Sequence, residues 1–378
     1  PVPRMAASIP LFLPPNTHEI ARSLVQIHAR ELETLLSPLS TLSGGEAAAI
    51  CAGTLAQRME DAWAGNDKAL RALLPMDPPI TLMLPSPTEN GSRWHGTPSS
   101  GAAGDYEGGA MLIAHLARDW SADGDVARRK AHGPVLNVFR RMRASKLRIL
   151  VPGAGACRLA WELARLGHRV EANDASPSML LAAHSIMHTG STFHQQREIL
   201  TGYPMPIFPR VRCTVDAVHR DGCLQPTYVP SIALRQLTIA NVSARLTLQA
   251  SDFFSFYSHS ADSSGISSPS HWDALVTCYF IDTLTEPVKA VRLIFSLLEP
   301  GGVWINVGPL QWHSEQAGVL RLTAQELSAL LTAQGFVLRS WRIIKRVPYM
   351  SVSGWRARNA WLGQPTEHDL LFFVAWKR

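Results

Sequence analysis

Strand and helix periods alternate along this chain, most sharply across residues 147–174, LRILVPGAGACRLAWELARLGHRVEAND. Positions 147–151 are mostly apolar with little alternation, the pattern of a parallel strand covered on both faces. Gly153 and Gly155 follow, where a chain can turn sharply and let a ligand lie against bare backbone. Leu159, Leu163 and Leu166 recur at helical spacing, Gly167 stops the helix, and 170–172 begin a second strand. The pattern predicts strand, glycine turn, helix and strand. Asp174 ends the second strand, where a carboxylate can take both hydroxyls of a ribose.

Helices are expected over 16–36, 46–63 and 67–74, with Thr17 as a cap and Ile20, Leu24 and Ile27 on one face. Residues 75–109 are rich in Pro, Gly, Ser and Thr without a period, a tether or a lid. Helical periodicity resumes over 106–139. Ser176 and Pro177 open a helix over 178–187, and 190–245 is an irregular insertion with prolines at 204, 206, 209, 226 and 230. Strands are expected at 246–250, 272–281 and 303–307. A serine-rich loop separates the first two at 258–271, and a helix over 286–298 precedes the third. Thr323 and Glu326 form a capping box for a helix that Gly335 closes. Residues 336–347 and 369–376 pair as an antiparallel end. These elements predict an α/β fold with a Rossmann-like, seven-stranded sheet over 106–378, preceded by a helical accessory region and linker over 1–105.

At 378 residues the chain can bury a large core, and 46% hydrophobic with 17% charged residues is a globular composition. The net charge of +6 is scattered, with short clusters at 128–130 and 140–143. Such clusters read as a solvated face and argue against a nucleic-acid partner. Five cysteines show neither zinc-ligand spacing nor a disulfide framework, so no metal is expected and a reducing compartment fits. No apolar run approaches the ~20 residues of a membrane span.

Candidate chemistry narrows the picture further. A dinucleotide fold wants a third glycine beside its pyrophosphate, yet Ala156, Cys157 and Arg158 follow Gly155. S-adenosylmethionine offers a ribose without a pyrophosphate, and two glycines suffice for it. Five strand ends then bring functional groups to one sheet edge: Gly153 and Gly155, Asp174, Asp252 with Phe253, Cys278 to Asp282, and Gly308 to His313. An Asp-Phe step suits adenine, the carboxylate accepting from its amine and the ring covering the base. The carboxylate of Asp252 is equally suited to cap a helix. Upstream, Arg118 in ARDWS could clamp a carboxylate of the bound donor. The set points to a methyltransferase.

The segments VPGAG (151–155), RLAWELARLG (158–167), SDFF (251–254), TCYFIDT (277–283), LLEPGGVWINVGPLQWH (297–313) and ARDWS (117–121) resemble the carnosine N-methyltransferase family. That resemblance implies an S-adenosylmethionine-dependent enzyme that methylates the imidazole of carnosine to give anserine. It places His115, Arg118, Gly153, Gly155, Asp174, Asp252, Phe253 and Cys278 at the donor, and Asp282 and His313 at the dipeptide. Three residues depart from the family pattern: His115 stands for glutamine, Cys157 for glycine and Asp174 for glutamate. The substrate-contacting tyrosine near the C-terminus has no clear counterpart; Glu367 falls at or near its position and Tyr349 is the alternative.

The expected mechanism needs no base to activate the acceptor, because neutral imidazole already bears a lone pair. A carboxylate on the other ring N–H fixes the tautomer and favours the developing imidazolium; Asp282 is the candidate, with His313 holding the dipeptide or taking the released proton. The partner is thus a small molecule or a histidine-containing peptide, the compartment the cytoplasm with the nucleus left open, and a homodimer is left open too. Two other functions stay in view: a catalytically silent binding protein, and a methyltransferase with a protein or nucleic-acid acceptor.

Overall fold

The computed structural model describes residues 9–14, 16–49, 52–74, 108–142, 146–187, 204–209, 224–232, 237, 240–262, 272–312, 320–349 and 367–378. His313, residues 75–107, most of the 190–245 insertion and the end of the serine-rich loop lie outside them.

The glycine-turn unit forms as its pattern dictates. Strand β2 (Arg148–Pro152) buries Ile149, Leu150 and Val151, helix α6 runs Arg158–Arg165, and β3 (Arg169–Asp174) lies parallel to β2. Outward from β3 comes β6 (Leu246–Ala250); on the other side of β2 come β7 (Trp272–Cys278) and β8 (Leu298–Gly308), all parallel. The last strand, β10 (Glu367–Lys377), pairs antiparallel with β8 and with the edge strand β9 (Phe336–Pro348). This antiparallel strand slipped between two earlier ones separates the sheet from the all-parallel dinucleotide order.

The seven expected strands are joined by an eighth. Leu11–Phe12, β1, lies parallel to β6 at the sheet edge, with Leu248 N–H donating to Pro10 O at 2.9 Å. The prolines at 10 and 14 leave donors missing, which only an edge strand tolerates. Ile9, Leu11 and Leu13 bury themselves in the same core as β2, β3 and β6. The N-terminal helices join that core as well: α1 (Thr17–Ser40) through Ala21, Leu24 and Val25, α3 (Ala52–Leu73) through Leu70 and Leu73. A short α2 (Gly44–Ala49) precedes α3, and the two expected helices of this stretch are largely fused into α3.

Several boundaries move, each for a local reason. The expected helix over 106–139 divides into α4 (Gly109–Trp120) and α5 (Asp125–Met142), because Ser121 turns extended and its hydroxyl caps Ala117 O. Helix α7 (Pro177–Met187) matches expectation. The insertion carries a small hairpin, β4 (Met205–Ile207) with β5 (Thr227–Val229), docked on α3 by a reciprocal pair: Asn66 donates to Phe208 O and accepts from Phe208 N. A turn of helix, α8 (Ala240–Ser243), leads into β6. Helix α9 (Phe253–Asp262) takes the start of the expected serine-rich loop. Strand β7 stops at Cys278 rather than 281, since Tyr279 adopts φ +53° and a 3₁₀ turn follows at Ile281–Thr283. Helices α10 (Pro287–Leu297) and α11 (Ala324–Gln334) complete the layers; α11 has the expected capping box at Thr323 and Glu326 and its stop at Gly335. Among the described residues no helix is long and apolar enough to cross a membrane.

Candidate functional site

The parallel strands point their C-terminal ends at one edge of the sheet, and the described candidate residues other than Glu367 gather there. Gly153 and Gly155 have φ of +63° and +53°, and a Cβ on Gly153 would lie 2.2 Å from the Phe280 ring. Asp174 closes the loop from β3: one carboxylate oxygen accepts Gly155 N–H at 2.7 Å, the other Ser176 N–H at 2.9 Å. Burial raises the Asp174 pKa, and those two N–H groups oppose the rise. Each carboxylate oxygen keeps a lone pair free for a ribose hydroxyl.

Helix α4 delivers the upstream residues. Trp120 Nε1 donates to Ala156 O at 2.8 Å and Arg158 to Asp119 O at 3.1 Å, which locks the end of α4 onto the glycine loop. A Cβ on Gly155 would sit 3.5 Å from His115 Nδ1 and 3.8 Å from an Arg118 terminal nitrogen, so both side chains line the loop. Arg118 is held by Asp119 through Nε at 2.7 Å and Nη2 at 3.2 Å.

Phe253 is buried and meets Phe280 edge-on at 5.5 Å, forming a wall beside the glycine turn. Asp252 is exposed and caps α9, accepting Ser255 N–H at 2.8 Å. The capping role is therefore present in this structure, and the carboxylate remains open to solvent. Cys278 is half-buried; burial pushes its thiol up to about 12, so it stays protonated. Asp282 is 1% exposed in the 3₁₀ turn and accepts Gln311 N–H at 3.0 Å, which ties the ends of β7 and β8.

The two candidates for the C-terminal tyrosine separate cleanly. Glu367 begins β10 exposed to solvent, where it pairs with Arg346 at 2.9 Å. Strand alternation turns the next residue inward: His368 is buried and meets the Tyr349 ring edge-on at 5.9 Å. Tyr349 lies in the cluster, its hydroxyl 3.3 Å from His115 Nε2 and its ring 4.8 Å from the Arg118 guanidinium carbon. Three residues of the cluster escaped the sequence reading: Tyr279, His368 and Asp119. The positive φ at Tyr279 has no signal in composition, and Asp119 was visible only as the neighbour of Arg118.

Cys157 occupies the left-handed region, φ +61°, where an L-residue costs roughly 1–2 kcal/mol. Its thiol is fully buried 3.5 Å from Gly155 O and packs into the core. Cys157→Gly should leave the melting temperature unchanged or raise it, strain relief offsetting the lost burial. Cys157→Val should cost about 2 kcal/mol, since a branched Cβ tolerates positive φ least. Thermal denaturation of both variants checks the pair.

Charge in this corner is set by burial. Burial pushes His115 down to about 3, with Arg118 adding to the effect, and pushes His132 of α5 down to about 3 as well. Asp119 is held at about 2: burial alone would raise it, but the charge and hydrogen bonds of Arg118 win. A histidine with a lowered folded pKa stabilises the fold above its unfolded pKa, and that stability is lost as pH falls from about 6.5 toward 3. Lowering pH from 7 to 5 should cost roughly 2 kcal/mol per such histidine. Glu171 and Asp174, raised by burial, act in the opposite sense. Urea midpoints at the two pH values should therefore differ in the parent and differ less in His132→Gln; equal differences would contradict a neutral buried imidazole.

Residues 102–354 match the sequence model of the carnosine N-methyltransferase family. The chain belongs to that family. The relative described as "Carnosine N-methyltransferase unmet" from Drosophila melanogaster is 28% identical over 272 residues, covering 69% of this chain and 53% of that protein. Carnosine N-methyltransferase of Rattus norvegicus is 28% identical over 60% of this chain and 54% of its own length. That of Schizosaccharomyces pombe is 29% identical, covering 60% and 61%. The chain thus spans between half and two thirds of the length of these relatives. Among solved structures, a magnesium protoporphyrin IX methyltransferase from Synechocystis is 12% identical over 68% of this chain and 82% of its own, with a TM-score of 0.35, too loose a likeness to bear on the site.

Proposed function

We propose that this protein is an S-adenosylmethionine-dependent N-methyltransferase acting on the imidazole of carnosine or a related histidine-containing small molecule or peptide. The observation that carries the reading is the convergence of Gly153, Gly155 and Asp174 with buried Asp282 at one sheet edge, in a chain of the carnosine N-methyltransferase family.

The residues fit such a donor. The open side of Gly155, where the nearest side-chain atoms are His115 Nδ1 and an Arg118 terminal nitrogen, and two buried polar atoms without partners among the described residues, His115 Nδ1 and Tyr279 Oη, fit a polar ligand against the glycine loop. Asp174 would hold the ribose hydroxyls, Phe253 and Asp252 the adenine, and Arg118 and His115 the amino-acid tail. When bound, S-adenosylmethionine supplies an electrophilic methyl group on a sulfonium.

The chain's own part is positioning and charge. Holding two reactants in line can supply roughly 7–11 kcal/mol of the barrier. Asp282 sits in the turn just past Cys278, where its carboxylate can accept the far N–H of an imidazole. That contact leaves the other nitrogen bare and favours the positive charge that develops on the ring. Tyr349, whose ring meets His368 edge-on, lies close enough to Asp282 to feel its charge. His313, next after Trp312, is proposed to hold the dipeptide or take the released proton. A cytoplasmic setting goes with this reading, since Cys157 and Cys278 are both free thiols.

Incubation with methyl-labelled donor and a panel of carnosine, other histidyl dipeptides, histidine-containing peptides and RNA tests the proposal. Label on the imidazole compounds is the expected result; label on RNA alone, or on nothing, overturns it.

A further inference from the structure

We propose that Tyr279 is a further donor-binding residue: its hydroxyl, His115 Nδ1 and the Arg118 guanidinium form a corner of three hydrogen-bond donors that takes the carboxylate of the methyl donor's amino-acid tail. The inference rests on the S-adenosylmethionine reading of the site.

The backbone is the first observation. Tyr279 is a non-glycine residue at φ +53°, held there by its N–H to Val307 O at 2.9 Å. Gly308 presses against it from β8, so close that a Cβ there would lie 3.1 Å from Tyr279 N. Strained backbone of this kind persists where the surroundings impose it, and it gathers at ligand sites. Here it ends β7 and sends the ring toward Tyr349, edge-on at 5.4 Å, and toward Arg118, whose guanidinium carbon lies 5.7 Å from the ring centre.

Unmet hydrogen bonds are the second. Tyr279 Oη and His115 Nδ1 are both buried without a partner among the described residues, and a buried polar group left unpaired is costly and rare. The Tyr349 hydroxyl bears on the tautomer of His115. Kept protonated by burial, it can donate to His115 Nε2 at 3.3 Å, and in the tautomer that accepts this bond the ring proton is on Nδ1 beside the glycine loop. Arg118 spends Nε and one Nη2 hydrogen on Asp119 and retains further N–H groups. Burial holds the Tyr279 phenol in its protonated form too. Tyr279 and Arg118 both pack on the Tyr349 ring while His115 lies at its hydroxyl, so the three donors flank one side chain, and Asp119 beside them is already engaged by Arg118. The complementary group is an acceptor with several lone pairs, and a carboxylate supplies them.

Both the methyl donor and a dipeptide carry a carboxylate; proximity of His115 and Arg118 to Gly155 favours the donor. Calorimetry with S-adenosylhomocysteine and with 5′-methylthioadenosine, which lacks the amino-acid tail, separates the sources in the parent and in Tyr279→Phe. Expected is a loss of about tenfold or more for S-adenosylhomocysteine, unchanged affinity for 5′-methylthioadenosine and an unchanged KM for carnosine. Unchanged S-adenosylhomocysteine affinity with a raised carnosine KM would assign the corner to the acceptor and overturn the proposal. Equal weakening of both adenosine ligands would make Tyr279 structural and overturn it as well. A parent that binds neither ligand removes the donor reading, and the corner with it.

Discussion

Asp282→Asn should lower kcat on an imidazole acceptor by about 10²–10³, the scale seen when one preorganised electrostatic contact is lost. The substitution isolates charge because the local geometry can survive it. Asp282 accepts Gln311 N–H at 3.0 Å from within the 3₁₀ turn, and an asparagine oxygen can accept the same bond. What disappears is the negative charge of a residue that is 1% exposed, where solvent screens little. In the ground state the acceptor ring is neutral and gains little from that charge; as the methyl group transfers, the ring becomes cationic. The loss therefore falls on kcat, with donor affinity nearly intact and acceptor KM changed only modestly. Single-turnover methylation of carnosine, alongside calorimetry with S-adenosylhomocysteine, reads the two effects separately. A variant that methylates at the parent rate sinks the mechanism. One that loses donor affinity instead would place Asp282 in the donor site.

The parts of this molecule that the sequence made legible are those whose physics is local. Leu159, Leu163 and Leu166 sit at helical spacing, Thr323 and Glu326 form a capping box, and the 336–347 and 369–376 segments read as strands; each became the element expected. Gly153, Gly155 and Asp174 were legible for the same reason, since a turn against bare backbone and a strand-end carboxylate need particular residue types. Long-range effects were not. Leu11–Phe12 is too short for any period to announce it, and only the free edge of β6 makes it a strand. Tyr279 turns out of β7 at φ +53° hard against Gly308 of β8, where only a residue without a side chain leaves room, a relation to a residue 29 positions away. The opposite placements of Tyr349 and Glu367 turned on strand alternation at one residue. His368 faces inward in β10, which puts Glu367 outside with Arg346. Cys157 lay between these cases. The glycine that the family resemblance implies at its position marked a backbone demand, but only the φ of +61° shows that the cysteine meets it under strain.

Asp174→Ala should weaken S-adenosylhomocysteine binding by on the order of 2–4 kcal/mol, from two hydrogen bonds to a charged group at ~1.5–3 each with partial replacement by water. That corresponds to roughly 30- to 1000-fold in Kd. Two contributions are mixed in that number. The carboxylate would bind the ribose directly, and it also accepts Gly155 N–H at 2.7 Å and Ser176 N–H at 2.9 Å, shaping the loop and the start of α7 before any ligand arrives. Truncation leaves those two N–H groups without their acceptor, so the melting temperature should fall as well. A double cycle separates ribose contact from loop shaping. In the parent, removing the ribose 2′-hydroxyl from S-adenosylhomocysteine should cost affinity. In Asp174→Ala the same removal should cost almost nothing, because the partner is already gone. If the deoxy ligand loses as much affinity in the variant as in the parent, the ribose never touched Asp174. The carboxylate would then be a brace for the glycine loop, and the donor would have to lie elsewhere along the strand ends.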